Sequence, residues 1–254
     1  MIPISLRRAQ IVLAAALLAG CATGPGASRN DPIEPFNRVV FGANDALDRY
    51  VAVPVAKGYR AVTPGFARTG VSNFFANLGD VGNTINNLLQ GKLHDGAESL
   101  SRLVVNTIFG IGGLFDVATP TGLDKHSQDF GLTLGTWGLA SGPYLVLPLF
   151  GPSSIRDGVG QVADIQLDPI RYTDPAVRDP LYVASVINTR ANLLGATDLL
   201  DAAALDRYTF VRDAYLQQRR YRIDQNRGTT TLPDYEDSDD AAPPGVKAPE
   251  RGGR

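Results

Sequence analysis

Apolar residues recur with the period of an α-helix between residues 71 and 89. The residues that follow this spacing are Val71, Phe74, Phe75, Leu78, Val81, Ile85, Leu88 and Leu89. Successive helical residues are about 100° apart, so these side chains share one face and predict an amphipathic helix. Gly91 suits the position that follows a helix C-terminus, and we expect the helix to end there.

The opposite face of this predicted helix is polar but nearly uncharged. It carries Asn73, Asn77, Asp80, Thr84 and Asn87. A solvated helix face usually carries charged residues rather than a row of amides. Two interpretations remain open. The face is either an asparagine-rich surface with local capping bonds, or it borders a watery, uncharged passage while the other face meets apolar surroundings.

The same periodicity predicts four further helices. They run from near Asp95, from Pro152, from Pro180 to Leu194 and from Asp206 to Arg222. Asp95 and Glu98 have the spacing of a capping box, and Pro152 suits the first turn of a helix. The last helix ends in the basic run Arg219-Arg220-Tyr221-Arg222. Such a run complements the helix dipole, and near a bilayer it also suits lipid headgroups.

Two apolar segments are too rich in glycine and proline for regular helix. Residues 110–115 lack the Gly-Lys-Ser/Thr ending of a phosphate-binding loop, so we expect a tight turn against a packed neighbour or a membrane. The prolines of residues 141–152 exclude a central strand and a spanning helix. The sequence therefore predicts an all-α fold with apolar loops rich in glycine and proline. This helical domain is either soluble or lies in the membrane interface.

The first residues have the pattern of a secretory signal peptide. Arg7 and Arg8 precede an apolar stretch that is too short to cross a bilayer, and the stretch closes on Leu18-Ala19-Gly20-Cys21. This tetrapeptide resembles a bacterial lipobox, which implies cleavage before Cys21 and acylation of that cysteine. In such signals, Ala22 after the cysteine favours passage to the outer membrane. We predict a signal peptide over residues 1–20 and a lipidated linker over residues 21–30.

The two ends of the chain differ from its middle. Residues 225–254 are rich in proline and contain the acidic run Glu236-Asp237-Ser238-Asp239-Asp240. Such a segment cannot bury enough apolar area to fold, so we predict a disordered tail. Residues 31–224 contain neither an obvious repeat nor a long linker. They are predicted to form one helical domain.

Composition narrows the possible chemistry. The chain has 254 residues, 44% of them hydrophobic, and a net charge of −2, which argues against nucleic-acid binding through a general basic field. With Cys21 acylated, His94 and His126 are too few ligands for a zinc site. There is no Gly-x-Ser-x-Gly nucleophile motif, and Ser127 and Ser153 beside carboxylates are weak indications of a hydrolase. We predict no enzyme activity, no metal and no cofactor.

Several short sequence motifs, taken together, are more specific than any one of them alone. They are Asp31-Pro32-Ile33-Glu34-Pro35-Phe36-Asn37-Arg38, Asn44-Asp45, Val71-Ser72-Asn73-Phe74-Phe75-Ala76-Asn77-Leu78, Asn87-Leu88-Leu89-Gln90-Gly91, Phe130-Gly131-Leu132-Thr133-Leu134-Gly135-Thr136-Trp137-Gly138, Gly142-Pro143-Tyr144, Gly151-Pro152-Ser153, Arg156-Asp157 and Val211-Arg212-Asp213-Ala214-Tyr215. Together these motifs resemble the MlaA (VacJ) family of outer-membrane lipoproteins, over nearly all of residues 31–224.

The resemblance implies a ring-like helical domain embedded mainly in the periplasmic leaflet of the outer membrane. An amphipathic channel through such a ring lets phospholipids leave the outer leaflet and reach a periplasmic carrier, MlaC, which maintains lipid asymmetry. The family also associates with trimeric porins and uses no cofactor. Its flexible segment that influences channel opening matches Phe41-Gly42-Ala43-Asn44, although family members often have an aromatic residue in place of Ala43.

The candidate headgroup path is the polar face of the first predicted helix, at Asn73, Asn77, Thr84 and Asn87. A phospholipid needs a polar path for its headgroup beside an apolar path for its tails, and this helix offers both. Sequence alone does not decide which face looks inward. Two rival functions remain: a structural lipoprotein that organises porins without moving lipid, and a lipid hydrolase.

Overall fold

A computed structural model describes residues 31–229, with the side chains of residues 198–203 excepted. The predicted signal peptide, the linker with Cys21 and the tail beyond residue 229 lie outside the described residues. The described residues form eight α-helices and one β-hairpin. These are α1 (Glu34–Leu47), α2 (Val53–Val62), α3 (Gly65–Leu89), α4 (Leu93–Ile108), α5 (Phe130–Thr136), β1 (Tyr144–Leu147), β2 (Gly151–Ser154), α6 (Ile155–Leu167), α7 (Pro175–Ala203) and α8 (Arg207–Arg227). The predicted helical fold class is confirmed.

Helix α3 is longer than its apolar pattern indicates. It begins at Gly65, after the extended residue Pro64, and ends at Leu89. Gly91 follows with φ +76°, which confirms its predicted role in ending the helix. The predicted capping box of the next helix is wrong, because α4 already starts at Leu93 and Lys92 is its N-cap residue.

The segment predicted to be irregular contains a β-hairpin. Tyr144 pairs with Ser154 and Leu147 pairs with Gly151 in an antiparallel register. Pro152 lies inside β2 and does not begin a helix, so that prediction is wrong. Each strand of a two-stranded ribbon has an edge, and an edge tolerates proline. Helix α6 starts at Ile155 instead, where the Ser154 side chain accepts a hydrogen bond from the backbone N–H of Asp157.

The last two helices extend beyond their predicted bounds. Helix α7 begins at Pro175 and continues through Pro180. Helix α8 is capped by the Asp206 side chain and ends at Arg227, before the left-handed Gly228. Residues 225–227 are therefore helical, and the predicted start of disorder at residue 225 is wrong for them.

Polarity is inverted across this fold. Within residues 31–229, buried polar and charged side chains outnumber buried apolar ones. Asn87 is fully buried, whereas Phe66 is 82% exposed and Ile108 is 65% exposed. A water-exposed globular protein normally buries its charged residues only rarely. The outer surface is therefore suited to apolar surroundings, and the interior is held together largely by hydrogen bonds.

Helix α4 illustrates this arrangement. Leu93, Leu100, Val104 and Ile108 are exposed on one face, while Arg102 is buried on the other. Among the described residues, no helix is both long enough and apolar enough to cross a bilayer.

Candidate functional site

A cavity of about 430 Å³ lies between α3, α6, α7 and the segment that leads into α5. Its apolar lining includes Phe75, Leu78, Leu167 and Ile170. Its polar lining includes Asn83, Lys125, Gln128, Asp129, Asp164 and Tyr182. We call this space the amphipathic cavity. Its lining therefore combines apolar and polar side chains.

The absence of large side chains on one face of α3 leaves room for this cavity. Gly79 and Gly82 both line it. A Cβ atom built on either glycine would meet no heavy atom within 4 Å. The cavity wall here is therefore helix backbone with open space in front of it.

Asp164 is the most perturbed carboxyl group of the cavity wall. Its Oδ1 and Oδ2 both accept from the backbone N–H of Phe130 at 3.0 Å, and Oδ1 also accepts from Asn86 Nδ2 at 3.2 Å. Burial raises the pKa of Asp164 to about 6, because it outweighs these hydrogen bonds. The nearby charge of Asp129 acts in the same direction as burial, and that of Arg219 opposes it.

The predicted headgroup residues lie on another face of α3, towards α4 and the segment around residue 126. Asn77 Nδ2 donates to Thr107 Oγ1 at 2.9 Å, and Asn87 Nδ2 donates to the carbonyl of His126 at 3.1 Å. Thr84 donates to the carbonyl of Asp80 at 2.7 Å. Asn77, Thr84 and Asn87 are buried.

These contacts give the asparagine face a structural role. Asn87 also donates to the carbonyl of Asn83, one helical turn earlier, as the interpretation with local bonds expects. Asn73 is only partly buried and donates to the carbonyl of Leu114 at 3.2 Å. Contact of any of the four predicted residues with a headgroup stays a prediction.

Arg102 anchors the interior beneath this face. It donates to Thr119 Oγ1 at 3.0 Å and to the carbonyl of Leu123 at 2.5 Å. It also contacts Asp116 at 3.2 Å. Burial alone would raise the pKa of Asp116, but hydrogen bonds from Thr119 and the charge of Arg102 help to lower it to about 2.

The glycine-rich segment 110–115 closes this interior, as predicted. A Cβ on Gly113 would lie 2.6 Å from Asn77 Nδ2, and Gly113 has φ +90°. A Cβ on Gly110 would lie 2.1 Å from the carbonyl oxygen of Phe115. The tight turn was expected against a packed neighbour or a membrane. A packed neighbour is present at Gly110 and Gly113, and only glycine fits at these two positions.

An ion-pair cluster joins α5, α6 and α8. Arg219 donates to both oxygens of Asp129 at 2.5 and 2.8 Å, and its Nη2 lies 2.9 Å from Asp157 Oδ1. Tyr215 Oη donates to Asp157 Oδ2 at 2.6 Å, and Arg156 Nη2 donates to Asp157 Oδ1 at 2.8 Å. Burial alone would raise the pKa of Asp157, but Tyr215 and Arg219 hold it below its ordinary value.

Close backbone contact brings this cluster together. A Cβ on Gly160 would lie 2.4 Å from the backbone nitrogen of Gly131, so α6 and α5 touch through glycine. A Cβ on Gly131 would lie 2.6 Å from Asp157 Oδ1. The two glycines thus set the distance at which the buried charges meet.

The predicted gate segment, Phe41 to Asn44, lies within α1. Phe41 packs edge-to-face on Tyr208 of α8, with ring centroids 5.6 Å apart. Asn44 donates to the carbonyl of Leu147 and accepts from the N–H of Leu149, both at 2.9 Å. Gly42 leaves open space around its Cα.

Asn37 makes the same pair of bonds two helical turns earlier. It donates to the carbonyl of Tyr144 at 3.0 Å and accepts from the N–H of Val146 at 2.9 Å. Seven helical residues rise about 10.5 Å, and three strand residues span about 10 Å. The spacing of the two amides on α1 therefore matches that of the backbone groups on β1.

Within residues 31–229, neither Ser127 nor Ser153 is hydrogen-bonded to a histidine. Ser153 Oγ donates to the carbonyl of Ser154. His126 Nε2 lies 2.5 Å from Glu98 Oε2, and His94 Nδ1 lies 3.7 Å from the same oxygen. Between residues 31 and 229, no group of three or more histidine and carboxylate side chains is arranged to hold a metal ion.

Sequence reasoning named Phe75 and Leu78 on the apolar face of α3, but it missed most of the other residues that line the amphipathic cavity. The signal for Gly79 and Gly82 was available, since small residues three apart on a helix leave a groove. No local pattern identified Asp164 or Arg219, because their partners are distant in sequence. The sequence shows the basic run that begins at Arg219, but spacing does not predict the contact of Arg219 with Asp129.

The family model described as MlaA lipoprotein matches residues 29–222. The Escherichia coli (strain K12) protein named "Intermembrane phospholipid transport system lipoprotein MlaA" is 36% identical over 222 residues, which cover 85% of this chain and 88% of that relative. A Haemophilus influenzae protein of the same name is 32% identical over 240 residues, which cover 88% of this chain and 94% of that relative.

A solved structure described as "Structural basis for maintenance of bacterial outer membrane lipid asymmetry" is similar in fold. It has a TM-score of 0.68 and 37% sequence identity, and it covers 77% of this chain and 100% of its own. The family model and these relatives each span most of the sequence. The chain therefore belongs to the MlaA lipoprotein family.

Proposed function

We propose that this chain removes mislocalised phospholipids from the outer leaflet of the outer membrane and passes them to a periplasmic, MlaC-like carrier. It thereby maintains lipid asymmetry. The lipid moves without covalent change, so the protein acts as a transport component and not as an enzyme. The names of the Escherichia coli and Haemophilus influenzae relatives support this general role.

One observation carries the proposal: a domain whose exposed surface carries many large apolar side chains also contains the amphipathic cavity. A phospholipid in transit needs polar groups for its headgroup and apolar groups for its tails. Phe75 and Leu78 are among its apolar lining residues, and Asn83 and Asp164 are among its polar ones. The cavity is the proposed channel.

The exposed apolar residues support an embedded position. Each exposed apolar side chain that leaves water for lipid contributes about 25 cal/mol per Å² of area. We propose that the outer faces of α4 and α6 lie in the periplasmic leaflet and that acylated Cys21 anchors and orients the domain. Trimeric porins are the proposed neighbours in the membrane, as the family resemblance implies.

The gate and the headgroup path are part of the proposal. Phe41 to Asn44 is the proposed gate segment, and the contacts of Asn44 with the hairpin support a coupled movement of both. Of the proposed headgroup residues, Asn73 is the most accessible, whereas Asn77, Thr84 and Asn87 are committed to internal hydrogen bonds.

A deletion strain tests the transport function. Loss of transport leaves excess phospholipid in the outer leaflet, which raises sensitivity to detergent with EDTA and increases acylation of outer-leaflet lipid. If both readouts are normal while porin organisation is lost, the chain is a scaffold and the proposal is wrong. Complementation with Cys21→Ser should fail because the protein is mislocalised, as membrane fractionation would detect.

A further inference from the structure

A second cavity, of about 280 Å³, lies between the C-terminal half of α8 and the loop that connects α5 to β1. We call it the basic cavity. Four arginines line it: Arg156, Arg219, Arg220 and Arg227. Asp224 is the one carboxylate residue in the lining. The remaining lining residues are Gly135, Gly138, Leu139, Ala140, Ser141, Gly142, Leu216 and Ile223.

Two of these arginines are neutralised by the ion-pair cluster, and two are not. Arg156 and Arg219 bind Asp157 and Asp129. Within residues 31–229, Arg220 makes no ion pair, and Arg227 donates only to the carbonyls of Gly135 and Thr136. With Asp224 counted against Arg220 and Arg227, the cavity keeps an excess of one positive charge.

The loop opposite α8 offers backbone donors. The N–H groups of Ala140, Ser141 and Gly142 donate to no protein acceptor in the described part of the chain. Gly138 and Gly142 have φ of +103° and +69°, so this loop is built on left-handed turns. Successive unpaired N–H groups in such turns form concave sites for anions.

We propose that the basic cavity binds the phosphate group of a phospholipid headgroup. Guanidinium groups and backbone N–H groups are the donors that bind phosphate oxygens best, through short charge-assisted bonds. The volume suits a headgroup rather than an acylated lipid. The lipid as the source of the phosphate rests on the proposed function, whereas the phosphate site itself does not.

One ion pair forms the wall between the two cavities. Asp129 lines the amphipathic cavity, and Arg219, which binds both oxygens of Asp129, lines the basic cavity. A headgroup in the amphipathic cavity is thus one side chain away from the unbalanced arginines. The basic cavity is therefore a second headgroup-binding site next to the amphipathic cavity.

The test is a titration of the purified full-length lipoprotein in detergent micelles. Isothermal calorimetry measures binding of three probes: dihexanoyl-phosphatidylglycerol below its micellar concentration, dihexanoylglycerol without phosphate, and inorganic phosphate. The variant is Arg220→Gln with Arg227→Gln. The matched control, Arg60→Gln with Arg171→Gln, removes the same charge from exposed sites elsewhere.

We expect the variant to bind the short-chain phospholipid at least tenfold more weakly than the wild type and the control. Binding of the lipid without measurable binding of inorganic phosphate supports a headgroup site. Equal binding of inorganic phosphate at the same residues overturns the lipid source. Wild-type affinity in the variant, or equal binding of dihexanoylglycerol, overturns the phosphate site. Failure of the deletion phenotype would instead contradict the proposed function.

Discussion

Arg219 on α8 donates hydrogen bonds to both carboxylate oxygens of Asp129, at the N-terminus of α5, with distances of 2.5 and 2.8 Å. The pair joins two elements that are 90 residues apart in sequence. Asp129 is also the N-cap residue of α5, since its Oδ1 accepts from the N–H of Leu132 at 2.8 Å. One carboxylate therefore starts a helix and holds another helix against it.

Arg219→Gln should destabilise the protein, because it leaves Asp129 without its ion pair and leaves Asp157 with Arg156 as its remaining partner. Loss of one partner of a buried ion pair costs about 3 to 5 kcal/mol. Chemical unfolding of the purified protein in detergent measures the change. Arg220→Gln is the control, since Arg220 is exposed and its replacement should cost less than about 0.5 kcal/mol. Equal stability of the two variants would contradict this prediction.

Gly160→Ala should force α6 away from α5, because the new Cβ would lie 2.4 Å from the backbone nitrogen of Gly131. Overpacking of this kind costs about 1 to 3 kcal/mol. Gly158→Ala is the matched control on the same helix, where the nearest atom would be Ser153 Oγ at 3.8 Å. The control should gain stability, since alanine favours helix over glycine by about 1 kcal/mol. Thermal unfolding distinguishes the two.

Asp164 should make stability depend on pH in the mildly acidic range. Its pKa of about 6 in the folded protein lies above the ordinary 3.8, so between these values the folded state holds a proton that the unfolded state has released. The free energy of unfolding therefore falls as the pH rises from about 4 to about 6, by roughly 2 kcal/mol.

Asp164→Asn removes this titration and should flatten the profile. Unfolding free energies of both proteins at pH 4 and pH 6.5 give the comparison, since all other titrating groups are shared. Identical slopes in wild type and variant would show that Asp164 has no raised pKa.

Gly82→Leu should block the amphipathic cavity without disturbing the fold. Nothing lies within 4 Å of a Cβ at this position, so the longer side chain extends into open space. We expect outer-leaflet phospholipid to rise to the level of the deletion strain, while the melting temperature stays within about 2 °C of wild type. Gly58→Leu on α2 is the control, because its Cβ also meets nothing and it does not line the cavity. Normal lipid asymmetry with Gly82→Leu would contradict the proposed channel.

Asn77→Leu and Asn73→Leu should differ. Asn77 is buried, bound to Thr107 and covered by Gly113, so its replacement should cost about 2 kcal/mol. Asn73 is partly exposed, and its replacement should change stability by less than about 1 kcal/mol. If Asn73→Leu impairs lipid asymmetry while its melting temperature is unchanged, the predicted headgroup contact holds at Asn73. Unchanged stability of Asn77→Leu would contradict the structural role.

Periodicity predicted the helices well because their burial has a regular period. The apolar pattern of residues 71–89 located α3, although its interpretation needed inversion: Asn77 and Asn87 face the interior, whereas Leu88 and Leu89 are exposed. The periodicity of apolar residues separates an apolar face of a helix from a polar one. It does not show which of the two faces the protein interior and which faces the surroundings. In a protein suited to lipid, the usual assignment is reversed.

The candidate site was less predictable because it depends on distant pairs. Arg219 contacts both Asp129 and Asp157, which lie 90 and 62 residues away in sequence. The hairpin was missed because Pro152 argues against a strand unless the strand lies at an edge. Such contacts depend on chain topology, which local patterns do not contain.

The two amides of α1 have a consequence for assembly. Asn37 and Asn44 form hydrogen bonds with backbone groups of the hairpin. Their partners are the carbonyls of Tyr144 and Leu147 and the N–H groups of Val146 and Leu149. An apolar hairpin with a bare edge recruits strands from other molecules and seeds aggregates. Here helix α1 takes the place of a third strand, so β1 has no open edge there that could pair with a strand of another chain.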